Sequence, residues 1–416
     1  MASNAKNLAE LLNQDTTVAA GDVAAGSITT DKLANNAVTV GKLATSGTLP
    51  AFNGSALTGV GGVKNLLING AFQVAQRGAS TTSSGYFLDM FKVNRAGPDI
   101  SATHHALSTT DTPYSLGFRN SLQLHVTDPQ TPDAAADFAE FETRVEARNI
   151  TTSGWNYTSA SSKITLSFWV LSTVAGTYKV YIRSLDTSTS SNGAYSFDYT
   201  LSANTWTKIT HTIPGHANLV FNNDDGPGLV VYFTLYYGTN YTGTVTNEQW
   251  RAHVSGAQVG DFAQNILATD EAKFEITGVQ LEVGDIASDF EHRSYGEELL
   301  LCQRYFYRRV IGIYDTVAVG HALGNRGGYV LQTPVPLRNK PAVTQGSNIV
   351  CWYNNAGSVT AQEGLVAGYM ATNQTDVKDI YLRADGNNTV QTGFGLGLSM
   401  YHGTETSSHI SLSSEL

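Results

Sequence analysis

Charge is scarce in this sequence. Of its 416 residues only 14% are Asp, Glu, Lys or Arg, against roughly 25% in an average soluble protein. The balance of 25 basic and 35 acidic residues leaves a net charge of −10. Nucleic acid and anionic membranes are held through a basic footprint, so neither is expected as a main partner. Cysteine is nearly missing, with Cys302 and Cys351 alone. Two thiols leave room for one bridge but make no disulfide framework, which points to synthesis in a reducing cytosol. No apolar run approaches the roughly 20 residues that span a bilayer. The longest, near 229–237, is strand-sized and interrupted by Thr234, so no membrane insertion is expected. Met1-Ala2-Ser3-Asn4-Ala5-Lys6 has no basic segment ahead of an apolar one. No secretory signal is expected, and an extracellular role would be reached by lysis.

What the chain does have is Gly (40 residues), abundant Ser and Thr, and 20 Tyr within an aromatic share of 10%. This is a turn-rich chain, polar without being charged, with enough aromatic mass to build cores. Its length suggests several domains. Residues 1–64 contain no Trp or Tyr and one Phe, Phe52. A short helix is expected after Ser3 or Asn4, with Leu8, Leu11 and Leu12 on one face. A repeat of period ten follows: Ile28-Thr29-Thr30-Asp31-Lys32-Leu33-Ala34, then Val38-Thr39-Val40-Gly41-Lys42-Leu43-Ala44. Each copy is too small to bury its own apolar face. The regular spacing of Val18, Val23, Ile28, Leu33, Val38 and Leu43 suits winding against identical chains or docking on a partner better than a linker.

From Asn65 the composition becomes that of an all-β domain spanning 65–295. Strands are expected at 116–126, 163–171, 176–182, 194–201, 206–213, 229–237 and 274–283, separated by turn clusters. No helical segment of 10–15 residues lies between them, so an antiparallel β-sandwich is favoured over a parallel α/β sheet. A second break near Tyr295-Gly296 opens a third region, 296–416. It begins with a helix expected at 297–305, acidic in its first turn and with Arg304 at its end, as the macrodipole prefers. More strands follow, and Tyr353-Asn354-Asn355-Ala356-Gly357 and Asp385-Gly386-Asn387-Asn388 read as hairpin turns. Glycines alternating with Phe394, Leu396 and Leu398 form one small-faced strand, suited to a close sheet contact or to chains meeting at a three-fold axis. Acidity is concentrated in the middle region: 13 basic and 22 acidic residues in 65–295, against 4 and 4 before it and 8 and 9 after it.

Catalytic signatures do not rise above noise. There is no Gly-x-Ser-x-Gly elbow, phosphate loop or His-Glu-x-x-His, and the ten His lack metal-ligand spacing. Asn222-Asn223-Asp224-Asp225-Gly226 is oxygen-rich but reads as a turn. Glu140, Glu142 and Glu146 have no recognisable acid partner across a cleft. The chain is therefore expected to be no enzyme, with no cofactor and no metal. Aromatics beside Asn, Thr and Gly are more informative, because sugar faces stack on rings while amides and hydroxyls read sugar hydroxyls. Trp155 and Tyr157, the run from Tyr236 to Tyr241, and Trp352 with Tyr353 have this setting.

These residues also carry a resemblance. Asn65-Leu66-Leu67-Ile68-Asn69-Gly70-Ala71-Phe72-Gln73 resembles the opening strand of jelly-roll carbohydrate-binding modules. Phe274-Glu275-Ile276-Thr277-Gly278-Val279-Gln280-Leu281-Glu282-Val283-Gly284 resembles their closing strand. A similar pair occurs in phage virion proteins, running on into segments like Phe290-Glu291-His292-Arg293 and Glu298-Leu299-Leu300-Leu301-Cys302-Gln303-Arg304-Tyr305-Phe306. Residues 334–344 resemble a recurrent tail-fibre segment, with Leu337 where the pattern usually has Met. The repeat around Ile28 is similar to the neck of such fibres.

The resemblance implies a non-catalytic phage tail fibre or receptor-binding protein, assembled in the host cytoplasm and released by lysis. Residues 1–64 would dock on a tail or baseplate protein, and the outer domains would meet host cell-surface polysaccharide. A head or neck fibre and a tail-associated polysaccharide depolymerase are the competing readings. The expected fold is mainly β: an anchor and stalk, a central jelly roll, and a C-terminal sandwich-like β domain in a parallel homotrimer. The trimer axis is expected at Leu33, Leu43, Leu299, Leu300 and Leu301. The three consecutive leucines exceed what one short helix buries alone. The receptor site is expected in 296–416, farthest from the anchor, with Trp352, Tyr353 and Tyr381 as candidates and Trp155 and Tyr157 as further ones.

Overall fold

The computed structural model describes residues 64–416, apart from 98, 130–134, 189–192, 313–314, 324–325, 347–348, 356–357, 364–378, 386–394 and 401–406. The expected N-terminal helix and the ten-residue repeat, with Leu33 and Leu43, lie outside the described residues. The protein is mainly β, and residues 58–416 form one compact unit.

Two six-stranded antiparallel sheets face each other across the main core. The first sheet has the order β1 (Ser80–Thr81), β4 (Asp99–Ala106), β5 (Asn120–Asp128), β12 (Lys273–Val283), β7 (Lys163–Ser172), β10 (Thr207–Pro214). The second has β2 (Gly85–Leu88), β3 (Phe91–Ala96), β6 (Phe138–Glu146), β11 (Pro227–Tyr237), β8 (Gly176–Ser184), β9 (Ala194–Leu201). Alternation builds the layers: Ile164, Leu166, Phe168 and Val170 of β7 meet Leu229, Val231, Phe233 and Leu235 of β11 in one core. The seven expected sandwich strands are all present. Strand β5 starts at Asn120 rather than 116, because residues 112–115 form the short helix α1 (Thr112–Ser115). Sequence reading missed β1, β2, β3, β4 and β6. In β6 the alternate positions are Glu140, Glu142, Arg144 and Glu146, a charged face that conceals a strand.

The Asn65 segment is not a strand. It runs irregularly beside β12, with Leu66 N donating to Leu281 O at 2.8 Å and Val279 N donating to Gly70 O at 2.9 Å. A Cβ on Gly70 would lie 2.0 Å from Val279 O, so only glycine permits this approach. A second helix, α2 (Ala147–Thr151), follows β6.

Helix α3 (Tyr295–Gln303) starts two residues earlier than expected. Ser294 and Glu297 form a capping box: Ser294 Oγ accepts from Glu297 N at 3.3 Å and Glu297 Oε2 accepts from Ser294 N at 2.9 Å. Cys302 is buried in the sandwich core, and Leu299 and Leu301 pack against that core. Only Leu300 of the three leucines is exposed, at 46%. The sandwich itself covers two leucines placed at the trimer axis, and the argument from surplus apolar surface fails for them.

Beyond α3 a three-stranded sheet joins β13 (Phe306–Gly312), β21 (Ser407–Ser413) and β16 (Ala342–Gln345). A six-stranded sheet runs β18 (Ser358–Glu363), β17 (Ile349–Asn355), β20 (Gly395–Met400), β14 (Thr316–Leu323), β15 (Arg326–Gln332), β19 (Asp379–Asp385). Asn355 pairs with Ser358, as the turn signal at 353–357 predicts. Of the signal at 385–388 only Asp385 is among the described residues. Strand β19 pairs with β15, whereas β20 pairs with β14 and β17.

The last residues return to the sandwich. Arg77 pairs with Glu415, and the Leu416 oxygen accepts from Tyr86 Oη at 2.7 Å and Arg144 Nη1 at 2.6 Å.

Candidate functional site

The aromatic residues singled out in the sequence go to different places. Trp155 is core: it is 3% exposed, its Nε1 donates to Ser162 O at 3.2 Å, and its ring packs on Tyr157 and Phe221. The loop after α2 folds inward and leaves no indole face for a sugar. Tyr157 is half-buried and meets Phe221 edge-on at 5.0 Å. Tyr237 is buried with Tyr181 and Val259 on the outer side of the second sheet. Trp352, Tyr353 and Tyr381 fall on β17 and β19, and their side chains lie outside the described residues.

A different group converges on the outer face of the first sheet. The alternation that sends Phe168 inward turns Ser167 and Trp169 outward. Trp169 stands between Thr277 of β12 and Lys208 of β10. Beside it β12 carries a bulge: Thr277 pairs with Trp169 and Gln280 with Ser167, so one extra residue is accommodated. Gly278 in this bulge has φ 63°. A Cβ there would lie 2.6 Å from Phe118 Cζ, so glycine lets the Phe118 ring rest against the strand. Phe118, Phe290 and His292 form one wall, each pair with ring centroids 4.9–5.0 Å apart. His292 Nε2 lies 3.0 Å from Leu116 O, which fixes that ring. Trp206 packs on the same cluster and donates from Nε1 to Asp111 Oδ1 at 3.1 Å.

Trp169, Phe118, Phe290 and His292, with Leu116 and Gly278, line a cleft of about 300 Å³, to which Ser167, Ser288, Asp289 and Lys208 add polar groups. Aromatic rings together with hydroxyl, carboxylate and ammonium groups match the mixed surface of a saccharide. The signal was present in the sequence. Trp169 shares its strand face with Thr165 and Ser167, and a tryptophan on the polar side of an amphipathic strand has to face outward.

The three carboxylates weighed as an acid group are sealed. Glu140 and Glu142 are 6% and 2% exposed. Asn94 Nδ2 donates to both, at 2.8 and 2.7 Å, Tyr237 Oη donates to Glu140, and Arg144 pairs with Glu142. Burial pushes Glu140 up to about 7, against the pull of the Tyr237 and Asn94 hydrogen bonds. Glu146 is bound by Arg304. Asp224 Oδ1 accepts from Gly226 N at 2.9 Å, an Asx turn. Cys302 is a free thiol, and burial pushes its pKa up.

No protein-family model matches the chain, and no curated protein matches it. Solved structures do. One is the enzymatically active domain of tailspike protein 4 of bacteriophage CBA120, at 13% identity and TM-score 0.28, covering 53% of this chain and 21% of that one. Another is the N-terminal cellulose-binding domain of Cellulomonas fimi β-1,4-glucanase C, at 10% identity and TM-score 0.25, covering 52% and 99%. A third is the CBM22-1 xylan-binding domain of Paenibacillus barcinonensis Xyn10C, at 10% identity and TM-score 0.24, covering 50% and 94%. Likenesses at this level say nothing of a ligand in this chain.

Proposed function

We propose that the protein is a non-catalytic, glycan-binding attachment protein of a phage fibre, and that its sandwich holds a host cell-surface saccharide in the Trp169 cleft. The observation that carries this reading is the cleft itself: Trp169, Phe118, Phe290 and His292 beside Ser167, Lys208, Ser288 and Asp289 on a sheet face. The sealed state of Glu140 and Glu142 favours binding over hydrolysis, because neither offers an oxygen to a bound glycosidic bond. In this reading residues 1–64 attach the chain to a tail or baseplate protein. Three chains associate through the repeat that contains Leu33 and Leu43, and the C-terminal strands extend the surface presented to the cell.

The test is binding of the full chain to purified host polysaccharide, followed by calorimetry. Trp169→Ala is expected to weaken binding at least about tenfold, as loss of a central aromatic anchor does, with an unchanged circular dichroism spectrum. Equal affinity of the variant would remove the cleft from the reading. Absence of binding by the unmodified chain would remove the function.

A further inference from the structure

The second sheet carries an outward-facing constellation that the Trp169 cleft does not use. Strand pairing places Arg144, Val230, Arg183, Ala194 and Arg251 in one row. Directly opposed residues share a sheet face. Val180 and Ile182 of β8 point into the core, so Tyr181 and Arg183 point out. Arg144 is satisfied by Glu142 and by the Leu416 oxygen. Arg183 and Arg251 are not: among the described residues neither meets a carboxylate. Among the described residues the Arg183 side chain makes no hydrogen bond, and its Nε is buried without a partner. Arg251 donates from Nη2 to Ser196 Oγ at 3.1 Å and to Gln258 O at 2.5 Å, while its Nε and Nη1 are buried and unpartnered.

This pair of cations stands in a region with 13 basic and 22 acidic residues, where carboxylates are the commoner charge. The sealed Nε and Nη1 atoms are out of reach of a ligand, but Arg183 is half-buried and its two terminal nitrogens are not among the buried atoms, so an incoming anion can pair with them and offset part of the cost of an unpaired guanidinium. Aromatic surface lies alongside. Tyr232 stacks on Tyr181 at 5.7 Å and 29°, with Tyr181 fully buried and Tyr232 half-buried. The Arg251 guanidinium lies 5.9 Å from the Tyr181 ring centre, and Tyr181 Oη is 2.6 Å from His253 Nδ1. Burial lowers the pKa of His253, and the positive charges of Arg183 and Arg251 lower it further.

We propose that this face binds the carboxylate of an acidic saccharide, with the Arg183 fork taking the carboxylate, Tyr232 backing the sugar ring and Arg251 supplying positive field from beneath. A planar fork matches a carboxylate bidentately. The inference rests on the glycan-binding reading but names a second subsite, on the sheet opposite the Trp169 cleft.

The experiment titrates the full chain with an oligogalacturonate, with its methyl ester and with inorganic phosphate. The acid is expected to bind at least about tenfold more tightly than the ester, the value of one charge-assisted contact. Arg183→Gln should erase that preference, and Arg183→Lys, which keeps the charge and loses the fork, should fall between. Trp169→Ala should leave the acid-to-ester ratio unchanged. A ratio unaffected by Arg183→Gln overturns the proposal, as does phosphate binding as tightly as the oligogalacturonate. If neither acid nor ester binds at millimolar concentration, the acidic subsite falls, while the glycan-binding reading is decided separately by host polysaccharide.

Discussion

Asn65 brackets the bulge of the closing sandwich strand through Val279 and Leu281. Its Nδ2 donates to Val279 O at 3.0 Å and its Oδ1 accepts from Leu281 N at 3.0 Å. The same Oδ1 accepts from Leu67 N at 3.0 Å, which turns the chain away into the core. The opening and closing motifs, more than 200 residues apart, are thus two halves of one joint. Glu291 and Arg293 complete it: Glu291 accepts from Asn65 N at 2.8 Å, and Arg293 Nη2 donates to Asn65 O at 2.6 Å.

Replacing Asn65 by Ala leaves two buried N–H groups, those of Leu67 and Leu281, and the Val279 carbonyl without these partners. The expected cost is about 1–3 kcal/mol. Urea denaturation should show a lower midpoint with an unchanged slope. An unaltered midpoint would show that water takes over all three contacts.

The motifs that carry the resemblance are joints of this kind, and so they were legible where the candidate cleft was not. Cys302 fills the core, Arg304 reaches back to Glu146, and Arg338 donates to Ser414 O, Asp225 O and Glu415 O. Each joins segments distant in sequence, which demands a fixed side-chain type. The cleft makes a weaker demand. Any aromatic at position 169 would keep the strand, so nothing local marks it apart from its place on the polar face. Trp155 misled because its Gly, Asn and Tyr neighbours suit an exposed loop equally well. Only the tertiary path after α2 turns it inward.

The Arg304–Glu146 pair gives a second prediction. Arg304 Nε and Nη2 lie 2.9 and 3.1 Å from the two Glu146 oxygens, and Glu146 is 1% exposed. Arg304→Met strands a buried carboxylate and should cost about 3 kcal/mol, the lower end for a buried pair because the arginine is partly wet. Adding Glu146→Gln should recover part of the loss. A double-mutant cycle on thermal stability measures the coupling, and additive effects would contradict it.

Gly278→Ala tests the link between backbone and cleft. A φ of 63° costs a β-carbon residue roughly 1–2 kcal/mol, and the added methyl group must displace Phe118. The variant should lose stability and also weaken saccharide binding relative to the unmodified chain at a temperature where both are folded. Stability lost with affinity intact would separate the bulge from the cleft.

The Glu140 carboxyl makes stability depend on pH in a direction opposite to that of the usual salt-bridged carboxylate. Burial raises it from an ordinary 4.5 to about 7 in the folded protein. Between those two values the folded state holds a proton that the unfolded state has released. Folding stability contributed by this group is therefore fully present below about 4.5 and is lost as pH rises towards 7. Buried histidines act in the opposite sense, since desolvation lowers His211 and His253, so the raw profile of the protein mixes both signs. The difference between the unmodified chain and Glu140→Gln isolates the carboxyl. Glutamine keeps the shape, remains neutral at every pH and can still accept from Tyr237 Oη and Asn94. Denaturation midpoints measured from pH 5 to pH 8 should show the variant gaining on the unmodified protein as pH increases, with the gap levelling off above about 7. A constant gap across that range would mean that Glu140 is ionised throughout, and that Asn94 and Tyr237 hold it as a carboxylate in spite of its burial.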